Sequence, residues 1–122
     1  MVSSRQNPDS DPVIHLAPAL ARLENDRELL CDLAQFYLED GPVLLQEIQR
    51  GIEIRDFELI TRSAHSLKGL ASNFDAHATV AAALIIEMSG RQRDLETIQQ
   101  SLPELEQQSQ RVIAALQEEL LS

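Results

Sequence analysis

Apolar positions along the chain fall into five segments, each with the three- and four-residue spacing of an amphipathic helix. Ile14, Leu16, Leu20 and Leu23 predict a short helix over residues 14–23, with Pro18 tolerated in its first turn. Asp26 is a natural N-cap for a second helix that buries Leu29, Leu30, Leu33, Phe36 and Tyr37. Pro42, in the stretch "EDGPVLL", lacks a backbone donor, so a kink or a restart capped by Asp40 is expected there. The pattern resumes through Val43, Leu44, Ile48 and Ile52 and stops near Arg55. Asp56 caps a third helix whose apolar set, Phe57, Ile60, Ala64, Leu67, Ala71 and Phe74, is spaced 3, 4, 3, 4, 3, the seam of a helix packed in a bundle. An alanine-rich fourth helix is expected from about His77 to Arg91, with Val80, Leu84, Ile85 and Met88 facing inward. After "SGRQRD", Asp94 caps a last helix reaching about Leu120, buried through Leu95, Ile98, Leu102, Leu105, Val112, Ile113 and Leu116, and bent or restarted at Pro103. Short connections pack neighbours antiparallel. The expected fold is therefore all-α, an up-down antiparallel four-helix bundle with a short extra N-terminal helix, over residues 13–121.

Composition narrows the function classes. A chain of 122 residues makes one domain, and 43% hydrophobic with 3% aromatic content suits helices more than sheets. A net charge of −10 argues against a broad basic face for nucleic acid or an anionic membrane. Cys31 is the one cysteine and has no internal disulfide partner, which fits a reducing cytoplasm, the expected location. No apolar run approaches the ~18 residues of a membrane span. Residues 1–12, "MVSSRQNPDSDP", carry no apolar signal core and are expected to be a polar, disordered leader or an interdomain linker.

Candidate chemistry centres on "AHSLKGLASNF" in the third helix. At roughly 100° per residue, His65 lies about 130° from the mean direction of the apolar seam, so it points to solvent or to the flank. Its helical neighbours are Thr61 and Arg62 on one side and Lys68 and Gly69 on the other. Glycine costs about 1 kcal/mol against alanine in a helix interior, so Gly69 calls for a reason. It leaves the approach to the imidazole clear for a bulky partner. Lys68, with Arg62 as a second cation, supplies positive charge where an anionic group on the ring would sit. Neutral imidazole is nucleophilic near pH 7 and can accept a phosphoryl group without an activating base. On spacing alone an ordinary surface histidine explains the pattern as well, because H-x-x-K is common by chance.

The stretch "AHSLKGLASNFDA" resembles the signature of the histidine-containing phosphotransfer (HPt) domain, H-x-L-K-G followed by small residues. The likeness extends from "VIHLAPALARLENDRELLCDLAQFYLEDGPVLLQEI" through the C-terminal helix, specific at the central motif and generic elsewhere. It implies a phosphorelay intermediate that accepts a phosphoryl group from a receiver-domain aspartate on His65 Nε2 and returns it to another receiver. Lys68 would steady the phosphoryl group, Gly69 would keep the imidazole accessible, and Glu87, at a position where the family often has glutamine or glutamate, would orient the ring. Arg62, Ser66, Leu70, Ser72 and Asp75 would form the docking face. Asp75 departs from the glycine usual ten residues after the histidine: it either caps the fourth helix or adds negative charge at the docking face.

The implied protein is a monomeric carrier rather than an enzyme. It is free-standing or one domain of a hybrid histidine kinase, it needs no cofactor of its own, and Mg²⁺ is expected on the partner receiver. His15 and His77 lack a metal-ligand spacing and no phosphate-binding loop appears, so no metal and no use of ATP are expected. Two alternatives stay open: a docking module of the same fold without phosphotransfer, and a structural or dimerisation bundle.

Overall fold

The computed structural model describes residues 12–121, which form five α-helices and no strand. These are α1 (Leu16–Arg22), α2 (Arg27–Ile54), α3 (Phe57–Ser72), α4 (His77–Arg91) and α5 (Leu95–Glu119). The polar leader expected over residues 1–12 lies, apart from Pro12, outside the described residues.

Three of the helices begin on the same local device. Asp26, Asp56 and Asp94 each accept from the backbone N–H three residues on (Leu29, Leu59 and Thr97), and Glu28, Glu58 and Glu96 add negative charge to the first turn. The Thr97 hydroxyl also donates to Asp94 and, with the Thr97 backbone N–H, holds that carboxyl below its usual pKa. At the other ends, Arg55, Asp75 and Arg93 follow α2, α3 and α4 in the left-handed region, with φ of 57°, 51° and 58°. Glycine is the common choice there, yet all four glycines of this chain lie inside helices. Two of them set helix spacing. A Cβ on Gly51 would fall 2.6 Å from Ile60 Cγ1, and one on Gly90 would run into Thr61 Oγ1, so α2 and α4 approach α3 closely from either side.

α3 is accordingly packed between α2 and α4, α4 also meets α5, and α5 returns to α2. Leu30, Ile48, Ile60, Leu67, Ile86, Ile98, Leu105, Val112 and Leu116 fill the enclosed core. Tyr37 and Phe74 meet edge to face at 6.3 Å. The buried Tyr37 hydroxyl is paired with Ser109 Oγ at 2.8 Å, and burial pushes its pKa up to about 12 against the opposing effect of that bond. α1 is tied down across the α3–α4 connection, where the His15 N–H donates to the Phe74 carbonyl at 2.8 Å.

Several expectations from the sequence are corrected. α2 runs unbroken through Pro42, and Asp40 caps nothing: the buried series Leu30, Ala34, Tyr37, Gly41, Ile48 and Gly51 holds one face of the helix on both sides of the proline. One missing backbone bond does not outweigh that continuous burial. α5 likewise has no restart at Pro103, which sits on an exposed face. Leu29 and Phe36, expected in the core, are 41% and 51% exposed; with Val43 they form an outward stripe at seven-residue spacing. α4 is rotated from its expected orientation. Leu84, Ile85 and Met88 face solvent, Val80 is half-buried, and Thr79, Ala82, Ala83, Ile86, Glu87, Ser89 and Gly90 face inward. Small residues let α4 sit close to α3 and α5, and the larger apolar side chains are left outside.

Candidate functional site

His65 stands on the solvent side of α3, as its angular position demands, with its side chain 64% exposed. Its Nδ1 lies 2.9 Å from Oε2 of Glu87, which reaches across from α4. Glu87 is 2% exposed and carries three partners: His65, Lys68 Nζ at 2.7 Å from Oε1, and Arg91 Nη2 at 2.8 Å from Oε2. Burial by itself would raise the Glu87 pKa. The hydrogen bonds and charges of Lys68 and His65 together outweigh it and hold the carboxyl below its usual range. Glu87 is therefore ionised near neutral pH, and an ionised carboxylate only accepts hydrogen bonds. Nδ1 must be the protonated nitrogen, which leaves the lone pair on Nε2.

The surroundings of the ring sort the other expected residues. Gly69 is exposed, and a Cβ placed on it would meet nothing within 4 Å, so no contact among the described residues requires glycine there. Lys68 is turned to Glu87 and not to open solvent; its side chain is 25% exposed. Arg62, Ser66 and Ser72 are exposed and Leu70 is half-buried. The Ser72 hydroxyl donates to the Lys68 carbonyl at 2.9 Å. Ser66, Gly69 and Leu70 line a groove between α3 and α2 that Asp40, Val43, Leu44 and Glu47 complete.

Asp75 does not cap α4, whose N-cap position is Ala76 and has no side-chain bond. It occupies a left-handed turn, φ 51°, which is why glycine would suit the position. Its carboxylate accepts two bonds from Arg22 Nη1, at 2.9 and 3.2 Å, so the charge the sequence placed at the docking edge is already paired. The same turn brings His15 and His77 together, ring centroids 5.0 Å apart, with His15 Nδ1 donating to the Asp75 carbonyl at 2.9 Å. No cluster of three or more His, Cys, Asp or Glu among the described residues is placed to hold a metal ion. None of the described helices is long and apolar enough to cross a membrane. Sequence reasoning missed Arg91. Its spacing of four from Glu87 was the available signal.

The site is thus an exposed, oriented imidazole on a helical bundle, backed by a buried carboxylate and a cation. The chain belongs to the Hpt domain family, whose model matches residues 32–120. Hpt domains carry out histidine phosphotransfer in two-component signalling. The match takes in most of α2 and the whole of α3, α4 and α5, and it leaves α1 outside. Comparison with the curated proteins and with the solved structures gave no significant match.

Proposed function

We propose that the protein is a phosphorelay intermediate that takes a phosphoryl group from a receiver-domain aspartyl phosphate and gives it to a second receiver aspartate. In the forward step the His65 Nε2 lone pair attacks phosphorus, the N–P bond forms, and the P–O bond to the donor aspartate breaks with its electron pair leaving on the carboxylate. Nδ1 keeps its proton, so the ring becomes cationic and Glu87 is its counter-ion. Lys68 turns from Glu87 to the incoming phosphoryl oxygens, while Arg91 keeps the buried carboxylate neutralised. The reverse step returns the group to a receiver carboxylate. Mg²⁺ belongs to the receiver, and the chain serves as a carrier without catalysis of its own.

The observation that carries this function is the His65 Nδ1–Glu87 Oε2 bond, which orients the ring and leaves Nε2 free. One copy suffices, because every residue of the site lies on α3 or α4 of the same chain. The four long helices supply the frame as an antiparallel up-down bundle, which the short connections and the return of α5 to α2 support. Transfer from labelled, phosphorylated receiver domains of the same genome tests the proposal. Acid-labile, base-stable label is expected on the wild type and none on His65→Gln. Binding without label on the wild type would make it a docking module, and the absence of both would end the phosphorelay assignment.

A further inference from the structure

The chain carries 20 acidic and 10 basic residues, yet Arg62 and Lys68 flank His65 on α3 while Arg91 and Arg93 stand at the C-terminal end of α4. Three of them line a groove between the N-terminal half of α3 and the C-terminal end of α4, floored by Phe57, Thr61 and Gly90, with Glu58 as its one acid. The arginines are held differently. Arg93 lies over the Phe57 ring, 4.7 Å from its centroid, Arg91 is paired with Glu87, and Arg62 extends from the exposed face of α3. Across His65, the groove between α2 and α3 contains Val43, Leu44 and Leu70 with Asp40 and Glu47 and no cation. The two flanks of the histidine are thus chemically opposite.

Resting on the phosphorelay function above, we infer that the arginine groove is a second contact zone of the receiver, built to take an acidic stretch of that partner. A standard interface buries about 800 Å² on each side. Arg62 is one helical turn from His65, about 4.5 Å of rise. A receiver whose aspartate reaches Nε2 therefore covers the groove. Arg91 is already paired with Glu87, but Arg62 and Arg93, buried unmatched, would oppose docking; matched by carboxylates they accelerate encounter and fix its orientation. With apolar surface required on the α2 flank and acidic surface on the α4 flank, a partner can seat in one orientation only.

The test uses a phosphorylated receiver that labels the wild type, with phosphoramidate, a small donor that needs no docking surface, in a parallel arm. Arg93→Glu and the double variant Arg62→Glu/Arg93→Glu are compared with Arg93→Lys across a NaCl series. The groove predicts roughly tenfold slower transfer from the receiver for each reversal at low salt, a flatter salt dependence, and near-wild-type transfer for Arg93→Lys. Labelling by phosphoramidate shows in the two single Arg93 variants that the His65 site is intact, and in the double variant it measures any direct effect of Arg62 on the ring, by which receiver transfer is normalised. Wild-type rates and salt slope in the double variant would overturn the inference while leaving the carrier function standing. Failure of every receiver and of phosphoramidate to label the wild type would remove both.

Discussion

Gly69→Ala separates what the fold wants from what function wants. Glycine in a helix interior costs about 0.5–1 kcal/mol relative to alanine, because more backbone freedom is lost on folding. In most packed helices a clash can offset the gain, but here the added Cβ has no neighbour within 4 Å. The variant should therefore be more stable by most of that amount, a rise in Tm of about 2–4 °C for a domain of this size. The methyl group would stand one turn from the imidazole, on the face a receiver must approach. A displacement of 1 Å at a transfer site costs on the order of a hundredfold in rate, so transfer from a receiver should fall at least tenfold. Thermal and urea unfolding followed by circular dichroism give the first number, and single-turnover label transfer gives the second. Lower stability would mean that α3 itself requires the glycine. Higher stability with unchanged transfer would mean that Gly69 does not guard access to His65, and the steric reasoning would be refuted.

Gly90→Ala should act in the opposite sense, destabilising by about 1–3 kcal/mol because its Cβ drives α4 off Thr61; urea unfolding midpoints measure this. Tyr37→Phe strands the buried Ser109 hydroxyl and should cost about 1–3 kcal/mol, largely recovered in the double variant Tyr37→Phe/Ser109→Ala. Glu87 has a folded pKa below its ordinary 4.5, so its contribution to stability is complete above that pH and is lost as pH falls through the folded value. Unfolding curves between pH 3 and 7 should show wild type losing this increment relative to Glu87→Gln, and parallel curves would contradict the ionised network. The same variant keeps an acceptor for Nδ1 but no charge, and nitrogen chemical shifts should show its neutral His65 ring still carrying the proton on Nδ1.

How much was legible in the sequence follows the range of the forces involved. The caps Asp26, Asp56 and Asp94 were readable because each acts on a backbone N–H three residues away. The α3 seam was readable because that helix has one apolar face, and the exposure of His65 followed from it. α4 is apolar nearly all round. Its rotation is decided by close packing at Gly90 and by the burial of Glu87, neither of which periodicity reports. Pro42 and Pro103 were read as local breaks, while faces buried over many turns kept both helices whole. At the site, His65, Lys68 and Gly69 share one helix, but spacing alone fitted an ordinary surface histidine, and the family resemblance singled them out. Glu87 needed the family resemblance, and the Arg22–Asp75 pair joins residues 53 positions apart through a left-handed turn.

His65 and the side chains that hold it sit on two tightly apposed helices, held by a glycine contact and a buried carboxylate with three partners. On the proposed function, such a frame would store a message as a covalent token. Each copy would then hold one token or none, since the site has one such histidine. The traffic a pathway can pass then depends on how many copies the cell makes and how long each N–P bond survives, quantities set outside the fold.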